Sequence, residues 1–523
     1  MARDGRAHGP RRVTRRQFLD DAALAAGAAA GGVLLGAYGR AVPSAYAAAA
    51  APAGELRVSL PARIVALDPM GAQAAEESVR VVSAHVFDTL VARDTRTRGY
   101  RPALAVKWET PDPTTWVFTL RPGVKFHDGT TLSARDVKAS LERMIAQKGP
   151  FAPLWVAIDT VDAPSDTTVR IKTKTPVGTM LANLSLLSIL PAASMNNAGF
   201  FNRPIGSGPF RVTSYRPDSE LVLDANPGYW ATPPGIKTLR FRDIPEIAAR
   251  VTALITGEID LTYGLPPDQL ASLRSNADLS VQTTPSYRYY FIWMNVKRSP
   301  FTDKRVRQAM IYALDINTML NTLLKGIARP MTAPIPSTVF GYAPQRAYGY
   351  DPAKAKQLLA AAGHANGFDT SMIWNPGSGP QDSEVAQALF SYWNAVGVRV
   401  KDAQAERAQW LDRLLKLDWD LDLQTNIVIT GDSDFALHRL YTTQANRMGY
   451  SNPQVDHLLD LAAQSVDQDN RKVYYGQVCE ILWDDAVGVY PFELIETYVS
   501  RKSVQGFVPT PTFPTFTSVT VKR

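Results

Sequence analysis

The chain has 523 residues, 45% hydrophobic and 20% charged, which is ordinary for a soluble globular protein and enough for about three domains with sizeable cores. A single cysteine excludes a disulfide framework and any metal site built from several thiolates. The formal charge of +7 is unevenly spread: residues 1–50 hold seven Arg and three Asp, and the rest of the chain has 49 basic against 46 acidic residues, too even a balance for a nucleic-acid-binding protein.

The N-terminus reads as an export segment. Arg-rich sequence runs to Arg16, a weakly apolar Ala/Gly stretch covers Ala22 to Gly39, and Ala45-Tyr46-Ala47 offers a small-x-small cleavage site. Thr14-Arg15-Arg16-Gln17-Phe18-Leu19 resembles the twin-arginine (Tat) signal of bacterial export. Residues 1–47 are therefore expected to be a Tat signal peptide. Export in the folded state agrees with the lone Cys479, and no cysteine stands at the cleavage site to take a lipid anchor. No later run of 18 apolar residues appears, so the expected location is a periplasm.

Further along, helix and strand signals alternate irregularly, which predicts a mixed α/β fold. Ser133-x-x-Asp136 opens a helix as a capping-box variant, with Val137, Leu141, Met144 and Ile145 on one face. The span 303–324 predicts a helix striped by Val306, Met310, Ala313 and Leu314 and stopped at Gly326. Asp351-Pro352 and Asn452-Pro453 each give a cap and a proline at the first turn, the former helix ending at Gly363. Strands are expected at Thr115–Leu120, Val169–Lys172, Glu220–Leu223, Thr238–Phe241, Tyr289–Val296, Ser371–Trp374 and Val398–Val400.

The common catalytic signatures are missing. The six His form no H-E-x-x-H set. Gly206-Ser207-Gly208 and Gly377-Ser378-Gly379 have the wrong spacing for a nucleophile elbow, and no phosphate-binding glycine loop is present. A hydrolase using two carboxylates is not excluded by counting, because its signature is a distance of about 5–10 Å rather than a motif.

One block is distinctive. It runs Leu104-Ala105-Val106-Lys107-Trp108-Glu109, then Asp112-Pro113, Trp116, Phe118, Leu120-Arg121-Pro122-Gly123, Phe126-His127-Asp128-Gly129, Asp136-Val137 and Arg143. It continues with Pro204-Ile205-Gly206-Ser207-Gly208-Pro209-Phe210, Asn226-Pro227-Gly228-Tyr229-Trp230, Gly257-Glu258-Ile259-Asp260 and Pro300-Phe301-x-Asp303-x-Arg305-Val306-Arg307. Together these closely resemble the signature of solute-binding protein family 5, the peptide-, nickel- and opine-binding receptors of ABC importers, over about residues 55–520. Most of the signature has an architectural reading: Trp116, Phe118 and Leu120 alternate as a half-buried strand, and Asp128-Gly129 is a turn.

The resemblance implies a type II periplasmic-binding-protein-like fold, with two hinged lobes and an inserted domain. Lobe I would comprise 54–96, 206–288 and 490–523, the insertion 97–205, and lobe II 289–489. The chain would cross between lobes near 288 and 490. The implied function is a monomeric periplasmic receptor, not an enzyme, with no cofactor and no nucleic-acid partner. It would close around a peptide or other amine-bearing solute and deliver it to the membrane subunits of an ABC importer. The alternatives are an exported hydrolase and a receptor for a nickel or other metal chelate.

Peptide-binding relatives pair an Asp of the second lobe with the ligand's amine, and the matching position here is Asp432, which also suits a helix cap or turn. Relatives that bind dipeptides supply an Arg for the ligand carboxylate. The corresponding Trp374-Asn375-Pro376-Gly377-Ser378-Gly379 has none, which counts against a dipeptide and leaves Trp374, Asn375 and Gly377 as contacts for another cargo. Tyr290, Trp410 and Phe435 are the aromatic candidates; on a strand, Tyr290 faces opposite Tyr289, Phe291 and Trp293, and one of those faces is expected to be core. For a metal chelate, His438 is the one candidate in this neighbourhood.

Overall fold

Alternating apolar strands in the second half of the chain, together with those near residues 55–60 and 210–263, assemble into one sheet of twelve strands. The structure is a computed structural model that describes residues 52–522; the expected export segment, 1–47, lies outside the described residues. The strands in chain order are β1 (Glu55–Ser59), β2 (Val91–Asp94), β3 (Gly99–Pro102), β4 (Ala105–Asp112), β5 (Thr115–Leu120), β6 (Ile158–Ser165) and β7 (Thr168–Thr173). They continue with β8 (Phe210–Arg216), β9 (Glu220–Ala225), β10 (Thr238–Arg242), β11 (Leu261–Tyr263), β12 (Leu279–Met294) and β13 (Ala328–Pro330). The last are β14 (Phe368–Trp374), β15 (Val398–Gln404), β16 (Leu421–Ile427), β17 (Gly488–Val489) and β18 (Phe492–Arg501).

The large sheet runs β15-β14-β16-β12-β18-β11-β1-β10-β9-β8, with β13 on β18 and β17 on β12. Each end contains a parallel block, β10-β1-β11 and β15-β14-β16, which requires crossover connections. Within the sheet, among the described residues, the two blocks are linked through the long antiparallel strands β12 and β18. The first half of β12 pairs with β18, its second half pairs with β16, and the register shifts between Pro285 and Tyr289. The fold is thus mixed α/β in two lobes. The expected strand at Tyr289–Val296 is the second half of β12, which begins ten residues earlier and ends at Met294.

Between β1 and β8 in sequence lies a separate four-stranded antiparallel sheet, β4-β5-β7-β6. In β5, Trp116, Phe118 and Leu120 are buried as the alternation predicts. Helix α1 (Glu77–Val86) packs on the first lobe, and α2 (Ala134–Ala146) on the small sheet. The start of α2 is local chemistry: the Ser133 backbone N–H donates to the Asp136 carboxylate at 2.8 Å. Val137, Leu141 and Met144 are buried beneath it, while Ile145 is exposed.

The expected helix over 303–324 is in fact two, α3 (Lys304–Tyr312) and α4 (Ile316–Thr322). Asp315 breaks the run, because its carboxylate caps the next helix by accepting from Thr318 N–H at 3.0 Å. The other capped helices form as expected: α5 (Pro352–Ala361) behind Asp351, and further on α7 (Pro453–Gln464) behind Asn452. Between them α6 (Ser433–Tyr441) follows β16, and α8 (Gln468–Asp484) precedes β17. The lone Cys479 is free and buried on α8, where burial pushes its thiol up to about 12. Among the described residues no helix is long and apolar enough to cross a membrane.

Candidate ligand cleft

A cavity of about 630 Å³ opens where the lobes meet. That volume suits a small organic solute. One wall is α1 and the chain just past it: Arg80, Ser83 and Ala84 share a helix face, followed by Phe87 and Asp88. Arg93 on β2, Arg101 on β3, Leu186, Tyr229 and Trp230 extend this wall. The second lobe supplies Ile429 and Thr430, and Tyr287 stands at the strand crossing. A C-terminal stretch, residues 510–517, closes the remaining side through Thr510, Pro511, Thr512, Phe513, Thr515 and Thr517.

That C-terminal wall is pinned by His85. Its Nδ1 donates to the Val81 carbonyl at 2.7 Å, so Nε2 is free to accept from Phe516 N–H at 3.0 Å. Burial pushes this imidazole down to about 4, which keeps it neutral and holds this tautomer.

Asp88 organises the floor. Its carboxylate accepts from Ser207 Oγ at 2.8 Å, Tyr229 OH at 2.9 Å and Trp230 Nε1 at 2.9 Å. Burial pushes the group up to about 6, against those three donors. Gly206 and Gly208 flank Ser207 because the backbone there touches the end of α1. A Cβ on Gly206 would lie 1.9 Å from the Val86 carbonyl oxygen, and one on Gly208 2.6 Å from the Val86 carbonyl carbon. The Gly-Ser-Gly and Asn-Pro-Gly-Tyr-Trp segments of the sequence signature therefore converge on one buried carboxylate.

Across the cleft, Arg93 donates to Tyr100 OH at 2.8 Å and to the Gly431 carbonyl of the second lobe. Tyr100 OH reaches Asp432 Oδ2 at 3.4 Å. Asp432 is buried and held from behind by Arg471 of α8, whose Nη1 and Nη2 meet its two oxygens at 2.9 and 2.7 Å. Its Oδ1 also caps α6 by accepting from Asp434 N–H at 3.1 Å.

Of the seven residues named from sequence, none is on the cavity wall. Asp432 sits one step behind it in the ion pair with Arg471. Trp374 is buried, with Nε1 donating to Asp402 at 2.8 Å, and Trp410 Nε1 donates to Asp422 at 2.9 Å. Asn375 Nδ2 donates to the Ala405 carbonyl at 3.2 Å. Gly377 is exposed, with φ near 83° in a turn. Phe435 is half-buried under Arg439, whose guanidinium carbon is 4.8 Å from the ring centre.

Tyr290 is fully buried, and its hydroxyl donates to the Pro380 carbonyl at 2.8 Å. Both faces of β12 are core here: Tyr289, Phe291 and Trp293 pack on one side, and Tyr290, Ile292 and Met294 on the other. A central strand covered on both faces leaves no aromatic face for a solute. His438 lies 3.4 Å from Asp434, a contact that raises the imidazole above its usual range. The wall residues that sequence reasoning passed over are Arg80, Asp88, Arg93 and Phe513. A lone Arg inside the apolar helix Val79-Arg80-Val81-Val82 was the available signal.

The fold and a solute-sized cleft between lobes define a ligand-binding protein, and residues 99–447 match the model of the bacterial extracellular solute-binding proteins, family 5. The chain belongs to that family. It is 32% identical over 426 residues to the probable D,D-dipeptide-binding periplasmic protein DdpA of Escherichia coli, covering 78% of this chain and 82% of that protein. It is 30% identical over 423 residues to the glutathione-binding protein GsiB of Pectobacterium atrosepticum, covering 76% and 81% respectively. Among solved structures, HbpA2 from Haemophilus parasuis superposes with a TM-score of 0.82 at 26% identity, over 90% of this chain and all of that one.

Proposed function

We propose that this chain is the periplasmic receptor of an ABC importer, closing its two lobes over a peptide or other amine-bearing small solute and releasing it unchanged. The observation that carries the reading is the cavity between lobes whose parallel strand blocks are linked through β12 and β18, a geometry in which closure about two strands encloses a guest. The relatives named for glutathione and D,D-dipeptides support a peptide-like cargo. In this reading lobe I is 54–96, 206–288 and 490–523, the insertion is 97–205 and lobe II is 289–489. The register shift at Pro285–Tyr289 lies beside the first crossing, and β18 begins beside the second. Residues 1–47 direct Tat export, and the mature chain works as a monomer without catalytic turnover.

The test is thermal melting of the chain from residue 48 onward against a panel of peptides and amino-acid derivatives, with small-angle scattering of empty and saturated samples. A bound solute raises the melting temperature as RT ln(1 + [L]/Kd) and contracts the particle. It is recovered intact. A panel in which nothing shifts melting or scattering removes the reading, and conversion of the solute to product replaces it with an enzyme.

A further inference from the structure

The cavity wall carries three arginines and two aspartates, Asp88 and Asp94. The arginines are Arg80, Arg93 and Arg101, and among the described residues none has a carboxylate oxygen within 4 Å. Of the two acids, Asp88 spends its oxygens on Ser207, Tyr229 and Trp230, and Asp94 Oδ1 accepts from the Arg96 and Thr97 N–H groups. Arg93 is engaged by Tyr100 and the Gly431 carbonyl, and Arg101 is solvent-exposed. Arg80 is the least satisfied: it is buried at 6% exposure, only Nη2 finds an acceptor, the Leu186 carbonyl at 3.2 Å, and among the described residues Nε and Nη1 have no hydrogen-bond partner, against Nε alone in Arg93.

A buried cation without a counter-charge is costly, and two unmet guanidinium donors add to that cost. The rings of Phe151 and Phe513, with centres 5.4 and 5.9 Å from the guanidinium carbon, offset only part of it. Desolvation correspondingly lowers Arg80 to about 10. Such a group is stable in the fold only because the rest of the molecule holds it there, and what it lacks is a planar anion matching its fork of donors.

Resting on the receptor reading above, we infer that the cargo carries a carboxylate and that Arg80 of the first lobe is the residue that holds it. Of the two rings that screen Arg80, Phe513 is the one on the cavity wall. An entering carboxylate reaches Nε and Nη1 by displacing the Phe513 ring. The charge class of the solute is then set on α1, not by the Gly377 loop of the second lobe.

The test compares each acid with its own amide: Ala-Ala, Ala-Ala-Ala and N-acetylglycine against their carboxamides, by calorimetry and thermal melting on the chain from residue 48. For the wild type the acids bind about ten- to a hundredfold more tightly than the amides, the range expected for a charge-assisted pair. In Arg80→Gln that preference collapses to within about twofold, and Arg80→Lys keeps part of it. Without ligand, Arg80→Gln melts at or above the wild type, because an unpaired buried charge has gone. Equal affinity of acid and amide for the wild type overturns the inference while leaving the receptor reading intact. So does a preference that survives in Arg80→Gln, or an Arg80→Gln chain that melts well below the wild type when empty. Failure of every acid and amide to bind removes peptide-like cargo and the inference together.

Discussion

Asp432 allows a direct test of whether a carboxylate beside the cleft serves the ligand or the fold. Arg471 contacts both of its oxygens with neither side chain exposed by more than 1%, and the same carboxylate caps α6. Removing one member of a buried ion pair leaves the other unpaired, at a cost of about 3–5 kcal/mol. Losing the cap adds about 1 kcal/mol. Asp432→Ala should therefore lower the unfolding free energy of the empty protein by roughly 4–6 kcal/mol. Asp432→Asn keeps an acceptor for Asp434 N–H and should fall near the lower end of the ion-pair range.

The assay is urea unfolding without ligand, with Arg471→Met and the Asp432→Asn/Arg471→Met pair completing a double-mutant cycle. The double variant should recover much of the single-variant loss, because no buried charge is then left alone. An Asp432→Asn chain that unfolds like the wild type but binds an amine-bearing peptide far more weakly would refute this reasoning. It would make Asp432 a ligand contact reached from the cleft through Tyr100.

Two further predictions concern the frame of the site. Asp422, fully buried on β16, is pushed up to about 7 by burial, against the hydrogen bonds from Trp410 and Gln424. A carboxyl raised in the fold binds its proton more tightly there than in the unfolded chain, so its contribution is greatest at low pH and is lost as pH rises from about 4 through 7. The stability of Asp422→Asn relative to wild type should thus improve by up to roughly 4 kcal/mol between pH 4 and pH 8; a difference that stays constant with pH would contradict the assignment. Gly206→Ala forces a Cβ to within 1.9 Å of the Val86 carbonyl oxygen, where only backbone can yield. It should cost about 1–3 kcal/mol, read by thermal melting, and weaken solute binding by shifting Ser207 off Asp88. Wild-type melting in that variant would show that the contact relaxes freely.

What could be read from the residues alone follows the range of the interaction involved. The starts of α2, α5 and α7 depend on side chains within three residues of the cap, and they appear where Ser133, Asp351 and Asn452 place them. The same rule, applied to Asp315, would have divided 303–324 into α3 and α4; the apolar stripe across the break hid it. β18 escaped notice because Glu493 and Glu496 interrupt its pattern. Their partners, Arg329 with Ser337 and then Ser286, come from distant segments that no local periodicity contains.

The site shows the same division more sharply. Gly206, Ser207, Gly208, Tyr229 and Trp230 were visible as motifs, but their common purpose is Asp88, more than 110 residues upstream. Asp432 was visible as an acid following a strand and a glycine; the arginine that occupies it lies 39 residues later on another helix. Arg80 is the converse case, a residue marked by the partner it lacks. An ion pair closed within the protein and an arginine left open toward a cavity have the same composition, and only the fold separates them. In the reading proposed above, the charge that selects cargo is the base of the first lobe, and the acid of the second serves the fold.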